Sequence, residues 1–181
     1  MDYGKSGDVR IFDPVAGGEA LVVIDVGAEV YALAVFADPA TGELRIACGC
    51  NDDKVHIYNP VAGGEALIVL EGHTYAVVAL TIFTDQATGG LRLASGDGAG
   101  FVRVWDLAAG GEALFVLEGH GGLGERGQVN ALKAFADPAT GETRLASGAN
   151  DKTLRMWDAS KGGAALRVVA FEDAVRTLTL R

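Results

Sequence analysis

Residues 135–158 read FADPATGETRLASGANDKTLRMWD. Two further stretches follow the same plan: FTDQATGGLRLASGDGAGFVRVWD at 83–106 and FADPATGELRIACGCNDDKVHIYN at 36–59. From the leading Phe to the closing aromatic (Phe36 to Tyr58, Phe83 to Trp105, Phe135 to Trp157) the interval is 22 residues each time, which fixes the register of three copies. Self-similarity at a fixed period marks a repeat architecture, in which neighbouring copies bury a core between them. The repeated residues therefore report folding, and function is to be sought where the copies differ.

Each stretch runs into a second shared segment. It reads DPVAGGEAL at 13–21, NPVAGGEAL at 59–67, DLAAGGEAL at 106–114 and DASKGGAAL at 158–166, so successive copies lie 46, 47 and 52 residues apart. Within a copy, apolar and polar residues alternate, as in Phe101-Val102-Arg103-Val104-Trp105. Alternation in segments rich in β-branched and aromatic residues, broken by Gly, Asp, Asn and Pro, is a strand pattern. The chain is therefore read as all-β. One copy predicts four strands, at about 76–83, 90–95, 101–106 and 112–117 in the second full copy. Glycine in the connections supplies the positive φ that tight turns need.

Composition sets the bounds. The 181 residues are the size of one ordinary domain, and 49% are hydrophobic, enough for a large core. A net charge of −9 without a basic block argues against phosphate-tracking nucleic-acid binding and against anionic membranes. The first residues show neither a signal peptide nor a membrane span. Cys48 and Cys50 stand two apart on one strand face, a poor geometry for a local disulfide, so reduced thiols are expected. These features predict an intracellular protein, cytoplasmic, with the nucleus also open.

The order of short motifs is more specific. Gly72-His73 and Gly119-His120 follow a fourth strand, L-A-S-G follows in the second strand, and Trp105-Asp106 and Trp157-Asp158 end the third. In this order and repeated, they resemble the WD-repeat β-propeller family over nearly the whole chain. The resemblance implies about four four-stranded blades within residues 1–181, three full and one split between the termini, as a single domain or half of a larger ring. It also implies a buried polar chain pinning each blade, from Trp to Ser to His to Asp. The last full copy carries the whole set, as His120, Ser147, Asp151 and Trp157. The middle copy has His73, Ser95 and Trp105 but Ala99 at the acidic position, which predicts an incomplete network. The first copy has Asp52 and Tyr58, Cys48 at the Ser position and no His near Gly27.

Other motifs invite a chemical reading. Ser147, His120 and Asp151 have the composition of a hydrolase triad, but no nucleophile elbow accompanies them. Gly122 to Gly127 match G-x-G-x-x-G, yet a strand copy follows instead of the helix that a dinucleotide site requires. The three His and two Cys lack metal-ligand spacing, so neither a metal nor a cofactor is expected. His56 stands where the other copies have Arg10, Arg103 and Arg155, which reads as surface variation.

Two features are left for function. The loop 121–128, with Gly122, Gly124, Glu125 and Arg126, breaks the period by insertion, and such insertions can form a binding face. The family resemblance implies partner binding on the rim of the channel. The residues placed there are Glu29, Tyr31 and Asn51, then Ala76, Val78 and Gly98, then Gln128, Asn130 and Asn150, and finally Arg176. Tyr31 and Arg176 are the best anchors by residue type. The expected function is a non-enzymatic scaffold or adaptor for other proteins or peptides. The alternatives are a hydrolase working in a propeller channel and a purely structural fragment of a larger protein. Strand counting gives fifteen, with a shared blade lacking its second strand, and the first expectation is a homodimer that completes one ring, followed by self-closure into four blades and then by a truncated product.

Overall fold

The structure is a computed structural model in which residues 7–121 and 127–179 are described. The described residues form fourteen β-strands and no α-helix. β1 (Asp8–Ile11) and β2 (Val22–Asp25) make a two-stranded sheet. Three antiparallel four-stranded sheets follow. Blade one holds β3 (Val30–Ala37), β4 (Leu44–Cys50), β5 (Val55–Tyr58) and β6 (Ile68–Leu70). Blade two holds β7 (Val77–Thr84), β8 (Leu91–Asp97), β9 (Val102–Asp106) and β10 (Phe115–Leu117). Blade three holds β11 (Val129–Ala136), β12 (Thr143–Ala149), β13 (Thr153–Asp158) and β14 (Arg167–Ala170). In each blade consecutive strands pair as hairpins, and β3, β7 and β11 lie side by side.

The repeated turn sequence has a local cause. The carboxylate of Asp38, Asp85 or Asp137 accepts the backbone N–H of Ala40, Ala87 or Ala139 at 2.9–3.0 Å. The turn then closes through Gly42, Gly89 or Gly141, each near φ +70. An aspartate that mimics a backbone turn, followed by a glycine free to adopt positive φ, fixes both ends of the first hairpin.

Blades join by one repeated contact. A Cβ on Gly96 of β8 would stand 2.6 Å from Val129 Cγ1 of blade three, and one on Gly49 would stand 2.9 Å from Val77 Cγ1 of blade two. The glycine of A-S-G or A-C-G is thus the notch into which the next blade's first valine fits. Val175 fills the same notch at Gly148. Around these joints the core separates into three clusters, centred on Trp157, Trp105 and Tyr58.

The sequence count of fifteen strands is corrected to fourteen among the described residues. Residues 174–179 lie where a following blade's first strand would begin, held by Val175 N–H to the Ala149 carbonyl (3.0 Å) and by Asn130 Nδ2 to the Val175 carbonyl (3.1 Å). They make no ladder with any strand of the described residues. The other end shows the same gap. Leu33 and Val35 of β3 are 53% and 60% exposed, whereas Leu132, at the position of Leu33, is 8% exposed against blade two.

Candidate functional site

Four side chains meet inside blade two. Asp97 can only accept, so His73 Nδ1 donates to Asp97 Oδ2 at 2.7 Å. Nε2 is then the acceptor, and the Ser95 hydroxyl donates to it at 2.6 Å. Trp105 Nε1–H completes the chain by donating to the Ser95 oxygen at 2.8 Å. Blade three repeats the pattern: His120 to Asp151 at 3.0 Å, Ser147 to His120 at 2.6 Å, and Trp157 to Ser147 at 2.8 Å. The Thr153 hydroxyl also donates to Asp151, at 2.7 Å.

The incomplete network expected in the middle blade is corrected. Ala99 does stand where Asp151 stands in blade three, but Asp97 supplies the carboxylate from two residues earlier, where blade three has Ala149. The Asp97 carboxylate also accepts the backbone N–H groups of Ala99 and Phe101, so it holds the turn as well as the imidazole.

Serine, histidine and aspartate in this order are the groups of a nucleophilic triad. Here both serines are fully buried, and each hydroxyl oxygen is held by a tryptophan N–H. The arrangement gives the Trp, Ser and His polar atoms of each chain a partner and leaves no open face for a substrate, so it pins the blade. Burial pushes the His120 imidazole below its ordinary value, against the opposing pull of Asp151. Burial pushes the Asp151 carboxyl up, but hydrogen bonds from Thr153 and His120 outweigh it and hold it below the ordinary carboxylate value.

Blade one is built differently. Cys48 occupies the serine position and Cys50 the position of Asp97, and both thiols are buried and unpaired. Burial pushes both up to about 12. His56, in place of arginine, meets Asp52 at 2.8 Å between Nε2 and Oδ2. The donor atoms of Cys50, Asp52 and His56 lie within 4.8 Å of one another. The fold thus brings one cysteine and one histidine together with a carboxylate, a grouping that sequence spacing does not show. The register of β4 and β5 sets Cys48 opposite His56, and Cys50 follows one pleat later.

The rim residues sit on a repeated backbone frame. Asn51 N–H to the Glu29 carbonyl, Gly98 to Ala76 and Asn150 to Gln128 are each 3.0 Å. A register irregularity in the first strand of each blade leaves Tyr31, Val78 and Asn130 out of the ladder. Bulges of this kind re-aim side chains. On blade one, Tyr31 OH donates to Glu29 Oε2 (2.9 Å), and Glu29 N–H donates to Asn51 Oδ1 (3.2 Å). On blade three, Gln128 Nε2 donates to Asn130 Oδ1 (3.1 Å), and Asn130 Nδ2 to Asn150 Oδ1 (2.8 Å). Blade two offers only Ala76, Val78 and Gly98 at these places. Arg176, one residue past Val175, is exposed at the position matching Tyr31. Gly122, Gly124, Glu125 and Arg126 of the insertion lie outside the described residues.

The family described as "WD domain, G-beta repeat" matches residues 64–106 and 111–158, just over half of the chain. Among solved structures, the crystal structure of the computationally designed Ika4 protein is similar, at 27% identity and a TM-score of 0.66. The match covers 91% of this chain and 88% of that one. No curated protein matches. With the G-H, S-G and W-D motifs placed in blades two and three, and the matched residues taking in all four strands of blade two and the first three of blade three, the chain belongs to the WD-repeat family.

Proposed function

We propose that this chain is a non-enzymatic interaction scaffold, within the cell, that takes protein or peptide partners on the rim of its blades. The carrying observation is that one backbone frame, closed by the same 3.0 Å bond in three blades, displays three different sets of side chains. Invariant backbone with varied display is how a repeat array separates folding from recognition. Blade one presents a phenol and a carboxylate, blade three presents linked amides, and blade two between them presents only the small or apolar Ala76, Val78 and Gly98. An extended peptide fits this layout, its backbone on the amides and a cationic side chain toward Glu29. The net charge of −9 favours such a partner. The sealed serines support the non-enzymatic reading over a hydrolase.

The same reading includes a second copy of the chain. Leu33 and Val35 form an exposed apolar face, whereas their equivalents Leu80, Ile82, Leu132 and Ala134 are half-buried or buried against the preceding blade. Residues 174–179 present an unpaired first strand at the other end. A partner copy can cover both, completing a wider ring.

The rim is tested by selecting peptides from a displayed random library on the full chain. Affinities are then measured for Tyr31→Ala, Asn130→Ala and, as a control in a distant turn, Val61→Ser. Rim variants are expected to weaken the selected peptides by about tenfold or more, with the control unchanged. Equal binding by all variants would overturn the rim as the binding surface.

A further inference from the structure

Blade one departs from its neighbours in a coordinated way. Of the positions that carry the hydrogen-bonded chain in blades two and three, the serine has become Cys48, the Asp97 position Cys50, and the Asp151 position is Asp52. The arginine beside them has become His56. No histidine arrives from the preceding strand, so the chain that pins the other blades cannot form. What converges instead is a thiol, a carboxylate and an imidazole, within 4.8 Å of one another. Cys50 makes only a long 3.5 Å contact to the Cys48 carbonyl.

We propose that Cys50, Asp52 and His56 bind one zinc ion at the turn between β4 and β5. Three features carry this. The first is donor chemistry: sulfur, nitrogen and oxygen are the ligands zinc takes, whereas hard cations such as magnesium demand oxygen alone. The second is charge. A thiolate and a carboxylate cancel the two positive charges of the ion, so the complex is neutral in a site whose sulfur is fully buried. The third is geometry. With bonds of about 2.0–2.3 Å, tetrahedral ligand atoms stand about 3.5 Å apart. The Asp52–His56 pair at 2.8 Å has to open slightly, and no ligand atom starts more than 4.8 Å from another.

The step balances simply. Zinc takes the place of the proton shared by His56 Nε2 and Asp52, and binds Cys50 as the thiolate. Protons leave to solvent, and the fourth position is filled by water. Asp52 and His56 side chains are 33% and 13% exposed, which gives the ion a way in. Cys48, though adjacent on the strand, is outside the set. The pattern Cys-x-Asp-x3-His is not a finger spacing and becomes a site only when β4 and β5 pair.

The test uses untagged full-length chain stripped by a chelator, with cobalt(II) as a spectroscopic stand-in and zinc as competitor. The expected result is one cobalt per chain, with a thiolate-to-metal charge-transfer band that zinc abolishes and magnesium does not. Cys50→Ser should remove the band, and Cys48→Ser should keep it. Asp52→Asn and His56→Gln should each weaken cobalt binding by about tenfold or more. Absence of the band in the unaltered chain overturns the proposal, as does a band lost in Cys48→Ser but kept in Cys50→Ser. If Cys50→Ser does not fold, as read by circular dichroism, the variant His56→Gln, at a partly exposed ligand, decides. Unchanged cobalt affinity in it overturns the site.

Discussion

The carboxylate of Asp97 holds His73 from a strand position at which the next blade carries Ala149, while Asp151 holds His120 from a position at which blade two carries Ala99. The two blades reach the same imidazole contact by exchanging one acid between places two residues apart.

This exchange predicts a rescue. Asp97→Ala should destabilise the protein by about 1–3 kcal/mol, because a buried imidazole N–H loses its acceptor. Adding Ala99→Asp in the same chain restores a carboxylate at the blade-three position and should recover more than half of the loss. Urea unfolding midpoints read both effects. A double variant no more stable than the single one would show that the two positions are not interchangeable.

Acid should weaken the fold in two steps. The folded-state value of His120 lies below the ordinary 6.5, so its contribution is fully present above that pH. It declines as pH falls below 6.5 toward the folded value, because the unfolded chain takes up the proton first. Asp151, held below 3.8, adds a second loss as pH falls through 3.8 and on to its folded value. Melting temperatures from pH 8 to pH 3 are the measurement, with about 6.5 as the onset of the first decline. His120→Gln should flatten the upper step relative to the unaltered chain, and an unchanged slope there would refute the assignment.

Filling a joint should be costly. Gly96→Ala places a methyl group 2.6 Å from Val129 Cγ1, and the neighbouring blade has to give way. The expected loss is about 1–3 kcal/mol, the range for overpacking a dense core. The truncation Val129→Ala in the Gly96→Ala background should return part of it. Denaturant midpoints of the double variant and of both single variants decide, since additive losses would mean that the residues do not press on each other.

Light scattering tests the second copy. At micromolar concentration the unaltered chain should have twice the 18.7 kDa chain mass. Leu33→Asp with Val35→Asp should reduce it to a single chain, since two charges cannot be covered by an apolar partner face. A monodisperse monomer with one cooperative unfolding transition in the unaltered protein would contradict a two-chain ring.

The blades were legible because their signals are local. Period-2 alternation, aspartate-to-glycine turns and the fixed interval from Phe to the closing aromatic each act within one blade. The Asp97 contact escaped position-by-position matching because strand side chains repeat every two residues. An acid moved by two stays on the same face and still reaches the imidazole. His56 was set aside for a related reason. Its change from arginine reads as surface variation in a linear sequence, and only the pairing of β4 with β5 puts it opposite Cys48 and beside Cys50. The last strand was overcounted because alternation marks a segment able to pair, while a ladder also needs a neighbour.

The valine-in-glycine joint has a consequence for how such a chain grows. It is directional, with a socket on one side of each blade and a plug on the other, and it is the same at Gly49, Gly96 and Gly148. A gene that copied one unit of 46 to 52 residues in frame would deliver a new plug to an old socket and a new socket to the next plug. Nothing at the seam would register the extra unit. Length in this lineage can therefore change by whole blades in single mutational events, with circumference, and not local fit, deciding which lengths survive.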